Sequence, residues 1–389
     1  MLASFGRSFQ SLAVLLSLSM LAGCGTQGGG GSGATTTTGG RPGASEGSGS
    51  AGAGTKRIMF VTNGDDPFWD ACLSGLNEGA KQHELEKAGL SVHRDVNNGT
   101  AEGQIEKLRQ YATQDDIAGV AISVIQADNS AIVEEMRNLQ EKGVHVITVD
   151  GDVNRKLYRN ARTYYVGTDN IVGGRALGTA AKALLEAKEV KSGGYVQFAG
   201  FTDNDNARSR MDGVQAMIGT AYEEFSREAD DMNLQRARDN VRNAILNRGD
   251  KLVALIGIWA YNAPAIADVV SETKTRDKLV VATFDAQAGA IVDMEQGRID
   301  VMVVQNPFDM GVQTCRIMKA MIAHDEATLK QLFPNQGQPD GDIYTTGLRV
   351  VVPSDKSPVK PGLFDPKVVE YMLLPDFRAW LNKYKLQSS

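Results

Sequence analysis

From Arg57 onward the chain alternates short β-branched runs with longer amphipathic segments, the pattern of a parallel sheet wrapped by helices. The spacing predicts strands over 57–62, 90–96, 119–123 and 144–149, with helices over 67–87, 101–112 and 129–142 and Gly143 as a C-cap. A second series follows: helix 170–187, strand 195–198, helices 206–218 and 232–246, strand 252–256, helix 264–272, strand 279–284, helix 286–296, strand 301–304 and helix 307–323. Two doubly wound α/β halves in one chain result. Beyond them Pro334, Pro339, Pro353, Pro358, Pro361 and Pro366 interrupt the pattern. There the sequence predicts a loop over 333–341 returning between the lobes and one strand over 343–352. The tail is expected outside the sheets, ending in a surface helix over 375–384.

The first residues are of another kind. Arg7 precedes a short apolar run over 11–20, and Leu21-Ala22-Gly23 leads into Cys24. The run is too short to span a bilayer. It resembles the lipobox of bacterial lipoproteins, which implies a signal peptide over 1–23, cleavage before Cys24, lipidation of that thiol and work outside the cytoplasm. Residues 24–55 are Gly, Ser, Thr and Ala with few apolar side chains, a composition that predicts a flexible tether. Gly28, Gly30 and Gly33 match a dinucleotide fingerprint and Gly43 to Gly47 a nucleophile elbow, but neither lies between a strand and a helix, so both are set aside.

Lys+Arg 41 against Asp+Glu 47, with no basic stripe interleaved with aromatics, argues against a nucleic-acid partner. The histidines His83, His93, His145 and His324 lack ligand spacing, so no metal and no cofactor is expected. Cys72 and Cys315 could bridge or stay as two buried thiols.

In open α/β sheets the ligand crevice lies beyond the carboxyl ends of the strands. The residues there are Asp66, Phe68 and Trp69 after the first strand, Asp150 after the fourth, and 203–210 after the strand near Phe198. Later strand ends supply Trp259, Tyr261 and Asn262, then Asp285, then Gln305. Planar carboxylates, amides and guanidinium groups suit the adjacent hydroxyls of a sugar ring, while aromatics suit its C–H face. Asp150 and Asp285 also suit helix capping or a turn. Phe68, Trp69 and, more so, Trp259 also suit a core.

At TNGDDPFWD from Thr62, VITVD ending at Asp150, YYVGTDNIVGG from Tyr164, NARSRMDG from Asn206 and TFDA around Asp285, the chain resembles the type I periplasmic sugar-binding proteins of ABC importers, the ribose and galactose/glucose group. The resemblance covers about 56–352 and implies two Rossmann-like lobes joined by a three-strand hinge. The lobes would be 56–166 plus 306–342 and 167–305 plus 343–389. It implies hydrogen-bonding roles for Asp66, Asp150, Arg208, Asp285 and Gln305, and stacking by Phe68 or Trp69. Gly151 stands where ribose binders often carry arginine. Met232 stands at an aromatic position, and Tyr261, beside Asn262, at an asparagine position. Near Asp150, Asp152 and Asn154 a calcium loop is excluded by Arg155 at its glycine position. The implied protein is a monomeric, lipid-anchored, non-enzymatic receptor that closes on a monosaccharide and delivers it to an ABC permease. The alternative is a sugar or autoinducer sensor serving a chemoreceptor or kinase.

Overall fold

The computed structural model describes Thr55–Ser389; the leader, Cys24 and the tether up to residue 54 lie outside the described residues. In chain order the first elements are β1 (Lys56–Val61), α1 (Phe68–Gln82), β2 (Leu90–Asp95), α2 (Ala101–Tyr111), β3 (Ile117–Ile122), α3 (Ser130–Glu141), β4 (His145–Val149), α4 (Arg155–Tyr158) and β5 (Tyr164–Gly167). They are followed by α5 (Asn170–Ala187), β6 (Gly194–Ala199), α6 (Asp205–Ile218), β7 (Glu223–Ala229), α7 (Leu234–Arg248), β8 (Leu252–Gly257), α8 (Asn262–Glu272), β9 (Val280–Phe284), α9 (Ala288–Glu295) and β10 (Val301–Val304). The last are α10 (Pro307–Ile322), α11 (Glu326–Leu332), β11 (Ile343–Thr345), β12 (Leu348–Val352), β13 (Val369–Leu373) and α12 (Leu374–Lys383).

Two sheets result, ordered β11-β5-β4-β3-β1-β2 and β13-β12-β10-β9-β8-β6-β7. All pairings are parallel except β10 with β12. Strands such as β3 (IAGVAI) and β8 (LVALIG) are buried at every residue because helices cover both faces. In β1, Ile58 and Phe60 join the core beneath α1 and α10, while Met59 and Val61 join the core beneath α2 and α3. Helix starts are capped by local side chains: Thr100 accepts from the Gly103 N–H, Asp169 from Val172 and Asn306 from Asp309.

The chain passes between sheets three times: β5 to α5, β10 to α10, and β11 to β12. Each of the first two passages enters a helix locked against a neighbour. A β-carbon on Gly174 of α5 would overlap the carbonyl of Arg210 on α6, and one on Gly75 of α1 would overlap that of Phe308 on α10. The helices that begin at the strand ends are thus packed directly on the helices that leave the hinge.

Three features differ from the sequence expectation. The stretch predicted as one strand, 343–352, is two strands in different sheets, so Ile343–Thr345 completes the first sheet instead of belonging to the second lobe. The tail enters the second sheet through β13 instead of lying outside both. Strand β7 (EEFSREA) was not anticipated; its charge suits an edge strand, where half the side chains meet water. The 333–341 segment is fastened to the first lobe by Phe333, stacked on Tyr164 at 3.9 Å. From the second lobe, α12 reaches back to the first: Phe308 lies 5.8 Å from Trp380 and 4.3 Å from Tyr384, ring centre to ring centre.

Cys72 and Cys315 are both free and buried. Burial raises both thiols, Cys315 to about 12, which keeps them protonated. Among the described residues no helix is long and apolar enough to cross a membrane.

Candidate functional site

The two lobes present a matched pair of aspartates beside the hinge. Asp150 follows β4 and Asp285 follows β9, each next to a strand that leads into a crossing. Both have left-handed backbone, φ 63° and 62°, a conformation aspartate tolerates better than most side chains. In each case the backbone N–H donates to the neighbouring strand, Asp150 to Val166 O at 2.9 Å and Asp285 to Val303 O at 2.7 Å. The turn keeps each carboxylate at the carboxyl edge of its sheet. Neither aspartate is a helix cap.

Around Asp285 the polar groups are interlocked. Gln305 Nε2 donates to its two oxygens at 3.1 and 3.3 Å, and Thr168 Oγ1 donates to Gln305 Oε1 at 2.8 Å. Thr168 and Gln305 stand on the first and second crossings, so the carboxylate is tied to the hinge itself. Arg210 Nη1 lies 3.8 Å from Asp285 Oδ2 and donates to the carbonyl of Ile258 at 3.2 Å. Its Nε donates to Asn170 Oδ1 at 2.9 Å, and the guanidinium sits 4.0 Å above the ring of Phe284. Asp150 receives less: Tyr165 Oη donates to its backbone carbonyl at 3.1 Å.

Electrostatics join the lobes. Burial pushes the Asp150 carboxyl up to about 6; Arg210 opposes the rise, and Asp285 and Asp66 add to it. Burial also raises Asp285, against Arg210 and Gln305. Burial lowers Arg210, which the carboxylates of Asp285 and Asp150 hold charged. First-lobe Asp66 and Asp150 and second-lobe Arg210 and Asp285 therefore lie within each other's fields. Such a set offers bidentate acceptors and a fixed donor to vicinal hydroxyls.

The other residues singled out from the sequence fall into three groups. Asp66 is exposed, and its Oδ1 accepts from the Phe68 N–H at 2.8 Å. Phe68 is half-buried and meets Trp69 edge to face at 4.9 Å; Trp69 itself is 2% exposed, a core residue whose Nε1 donates to Asn63. Tyr261 and Asn262 turn inward: both donate to the buried carboxylate of Asp230, Asn262 Nδ2 at 3.0 Å. Arg208 is exposed on the first turn of α6 and pairs with Asp205 at 2.6 Å. It is not part of the buried cluster.

Arg210, Thr168, Asn170 and Phe201 were not singled out from sequence. For Arg210 the signal was present. Arginines two positions apart on a helix point about 200° apart, and Arg210 shares the phase of the buried Ala207, Met211 and Val214. Phe201, 42% exposed, stands edge to face with Trp259 at 6.0 Å at the carboxyl end of β6.

The profile of the periplasmic binding protein domain matches residues 58–326. The D-allose-binding periplasmic protein of Escherichia coli K12 is 22% identical over 278 residues, 69% of this chain and 85% of that protein. A solute-binding protein of an ABC transporter from Burkholderia graminis, solved with D-arabinose, has a TM-score of 0.62 at 21% identity and covers 76% of this chain and 95% of its own. A solute-binding protein from Actinobacillus succinogenes with bound D-allose gives 0.59 at 19% identity, covering 76% and 97%. Two mostly parallel sheets, three crossings and a polar cluster at the hinge agree with that match, and the chain belongs to the periplasmic binding protein family, whose members bind solutes for transport and are not enzymes.

Proposed function

We propose that the protein is an extracytoplasmic receptor, anchored through a lipid on Cys24, that closes on a monosaccharide and delivers it as a monomer to an ABC permease. The observation that carries this reading is the hinge-side cluster, in which Asp66 and Asp150 of one lobe face Arg210 and Asp285 of the other. A polyol bridging these groups stabilises only the shut state, which is how a ligand drives closure. The relatives described above that carry D-arabinose or D-allose support a sugar as the ligand.

In this reading Asp150, Asp285 and Arg210 bind or frame ring hydroxyls, with Gln305 orienting Asp285. Asp66, in the loop after β1, and Arg208, on the first turn of α6, are both exposed and engage the ligand on closure, and Phe68 covers one ring face. Trp69, Tyr261 and Asn262 support these positions from within. Half a dozen hydrogen bonds netting about 1 kcal/mol each, about 6 kcal/mol together, give a Kd in the tens of micromolar, and stacking on the ring face tightens it toward the micromolar range. A thermal-shift screen against pentoses, hexoses and sugar alcohols tests the proposal, because a ligand at a hundredfold over Kd adds about 2.7 kcal/mol to stability. A shift with one monosaccharide, lost in Asp285→Asn, is expected; no shift with any of them overturns the reading.

A further inference from the structure

The carboxyl edge of the second sheet is graded in polarity. From the hinge outward its strands run β10, β9, β8, β6, β7, and the residues that follow them are Gln305, Asp285, Trp259, Phe201 and Met232. The first two are buried and hydrogen-bonded; Phe201 is 42% and Met232 54% exposed, and Trp259 is half-buried.

This outer wall is built. Gly200 is its floor: a β-carbon there would overlap the Trp259 ring and come within 2.7 Å of the Met232 sulphur. Trp259 is oriented by its Nε1, which donates to Asn206 Oδ1 at 3.0 Å. Asp231 and Met232 both have left-handed backbone, φ 53° and 60°, which a bulky side chain such as methionine resists. Asp230 pays that strain: fully buried, it accepts from the Met232 N–H at 3.0 Å, from Tyr261 Oη and from Asn262 Nδ2. Asn262 Oδ1 in turn accepts from the Trp259 N–H at 3.0 Å. Of the polar groups at this end of the cleft, Tyr261 and Asn262 are thus used in holding the wall and face inward, Asn206 is engaged by Trp259, and Arg208 pairs with Asp205.

We propose that Phe201, Trp259 and Met232 form an apolar specificity wall, positioned by Asp230, that selects a monosaccharide whose end away from the hinge lacks a hydroxyl, as in a 6-deoxyhexose. This rests on the sugar-binding reading above and names the sugar class. The hinge side supplies carboxylates and a guanidinium for vicinal hydroxyls. The outer side supplies ring faces and a thioether, which favour a methyl group and leave a hydroxyl without a partner. Discrimination of this kind in an apolar pocket amounts to about ten- to a hundredfold.

The test is titration calorimetry of the purified protein with matched pairs, 6-deoxy-D-glucose against D-glucose, D-fucose against D-galactose and L-rhamnose against L-mannose, alongside D-arabinose and D-allose. Because Trp69 and Trp380 also emit, the difference in emission between the parent and Trp259→Phe serves as the local reporter of Trp259. The deoxy member of at least one pair is expected to bind at least tenfold tighter than its parent, and Met232→Gln and Phe201→Ser, both at exposed positions, are expected to shrink that ratio to below threefold without loss of the thermal transition. Asp230→Asn is expected to shrink the ratio as well and to shift Trp259 emission. Binding of any of these sugars with no gain from deoxygenation overturns the wall, as does a ratio that survives both substitutions. Binding of none of them overturns the sugar-binding reading itself.

Discussion

Replacing Asp150 by asparagine is expected to stabilise the free protein while weakening its hold on ligand. The folded-state carboxyl stands at about 6 against 3.8 for an unburied aspartate, with burial as the leading cause. A carboxyl raised in the folded state makes no stability difference below about pH 3, where both states carry the proton. As pH climbs from about 3 to 6 the unfolded chain loses its proton first, so stability falls, and above 6 the loss is complete. At 1.36 kcal/mol per pKa unit the ceiling is about 3 kcal/mol, and water at the cleft reduces it to between about 1 and 3 kcal/mol. Asparagine accepts left-handed backbone at least as well as aspartate, so φ 63° adds no strain. Urea denaturation of both proteins at pH 4, 5, 6 and 7.5 isolates the residue, because other carboxyls titrate alike in the two. The variant should exceed the parent by only about 0.5 kcal/mol at pH 4 and by increasingly more up to pH 6. It should also bind sugar at least tenfold more weakly. A stability difference that stays flat across this range, or a less stable variant at pH 7.5, would refute the argument.

Arg208→Ala is expected to lower sugar affinity about tenfold with the apo melting temperature unchanged, since Arg208 is exposed and pairs only with Asp205 on the same turn; calorimetry with unchanged affinity would remove it from the site. Arg210→Met should instead cost stability, about 3–5 kcal/mol, by stranding Asp285 and Asp150 without their buried counter-charge, and a denaturation midpoint near that of the parent would contradict it. Asp342 is half-buried, and that burial alone would raise it, yet Arg159 and Arg162 bring it down to about 2. Its contribution is present above pH 4 and lost as pH falls toward 2, so Asp342→Asn should flatten the acid limb of the stability profile. Gly174→Ala should destabilise by about 2 kcal/mol or more, read as a lowered melting temperature, because its methyl would overlap the Arg210 carbonyl.

Where burial is one-sided or complete, the sequence announced the structure. Runs such as IAGVAI and LVALIG have no polar alternation to confuse with a helix, and α3, α5 and α10 carry caps beside an apolar stripe. The failures have local causes. EEFSREA hides β7 because an edge strand is half wet, and 343–352 reads as one strand because Thr346 and Gly347 are too brief a break between two extended stretches. In the site, Asp150, Asp285 and Gln305 were legible from position at strand ends. Arg210 was missed beside Arg208 because a motif was read without its helical phase. Tyr261 and Asn262 were found at the right strand end, but their engagement with Asp230 depends on a turn after β7, a strand the sequence concealed.

The placement of β11 also fixes the order in which the molecule can be finished. The first sheet begins at Lys56 and its edge is Ile343–Thr345, while α10, which packs on α1, begins only at Pro307. During synthesis the first lobe must wait, unfinished, until nearly all of the second has emerged. The second can close most of its sheet, β6 to β10, from one uninterrupted stretch. Contacts separated by this much sequence form slowly and leave apolar surface uncovered meanwhile. Both lobes therefore wait for the end of the chain: one ending before residue 345 lacks β11 of the first sheet and β12, β13 and α12 of the second, and leaves apolar surface of both cores uncovered.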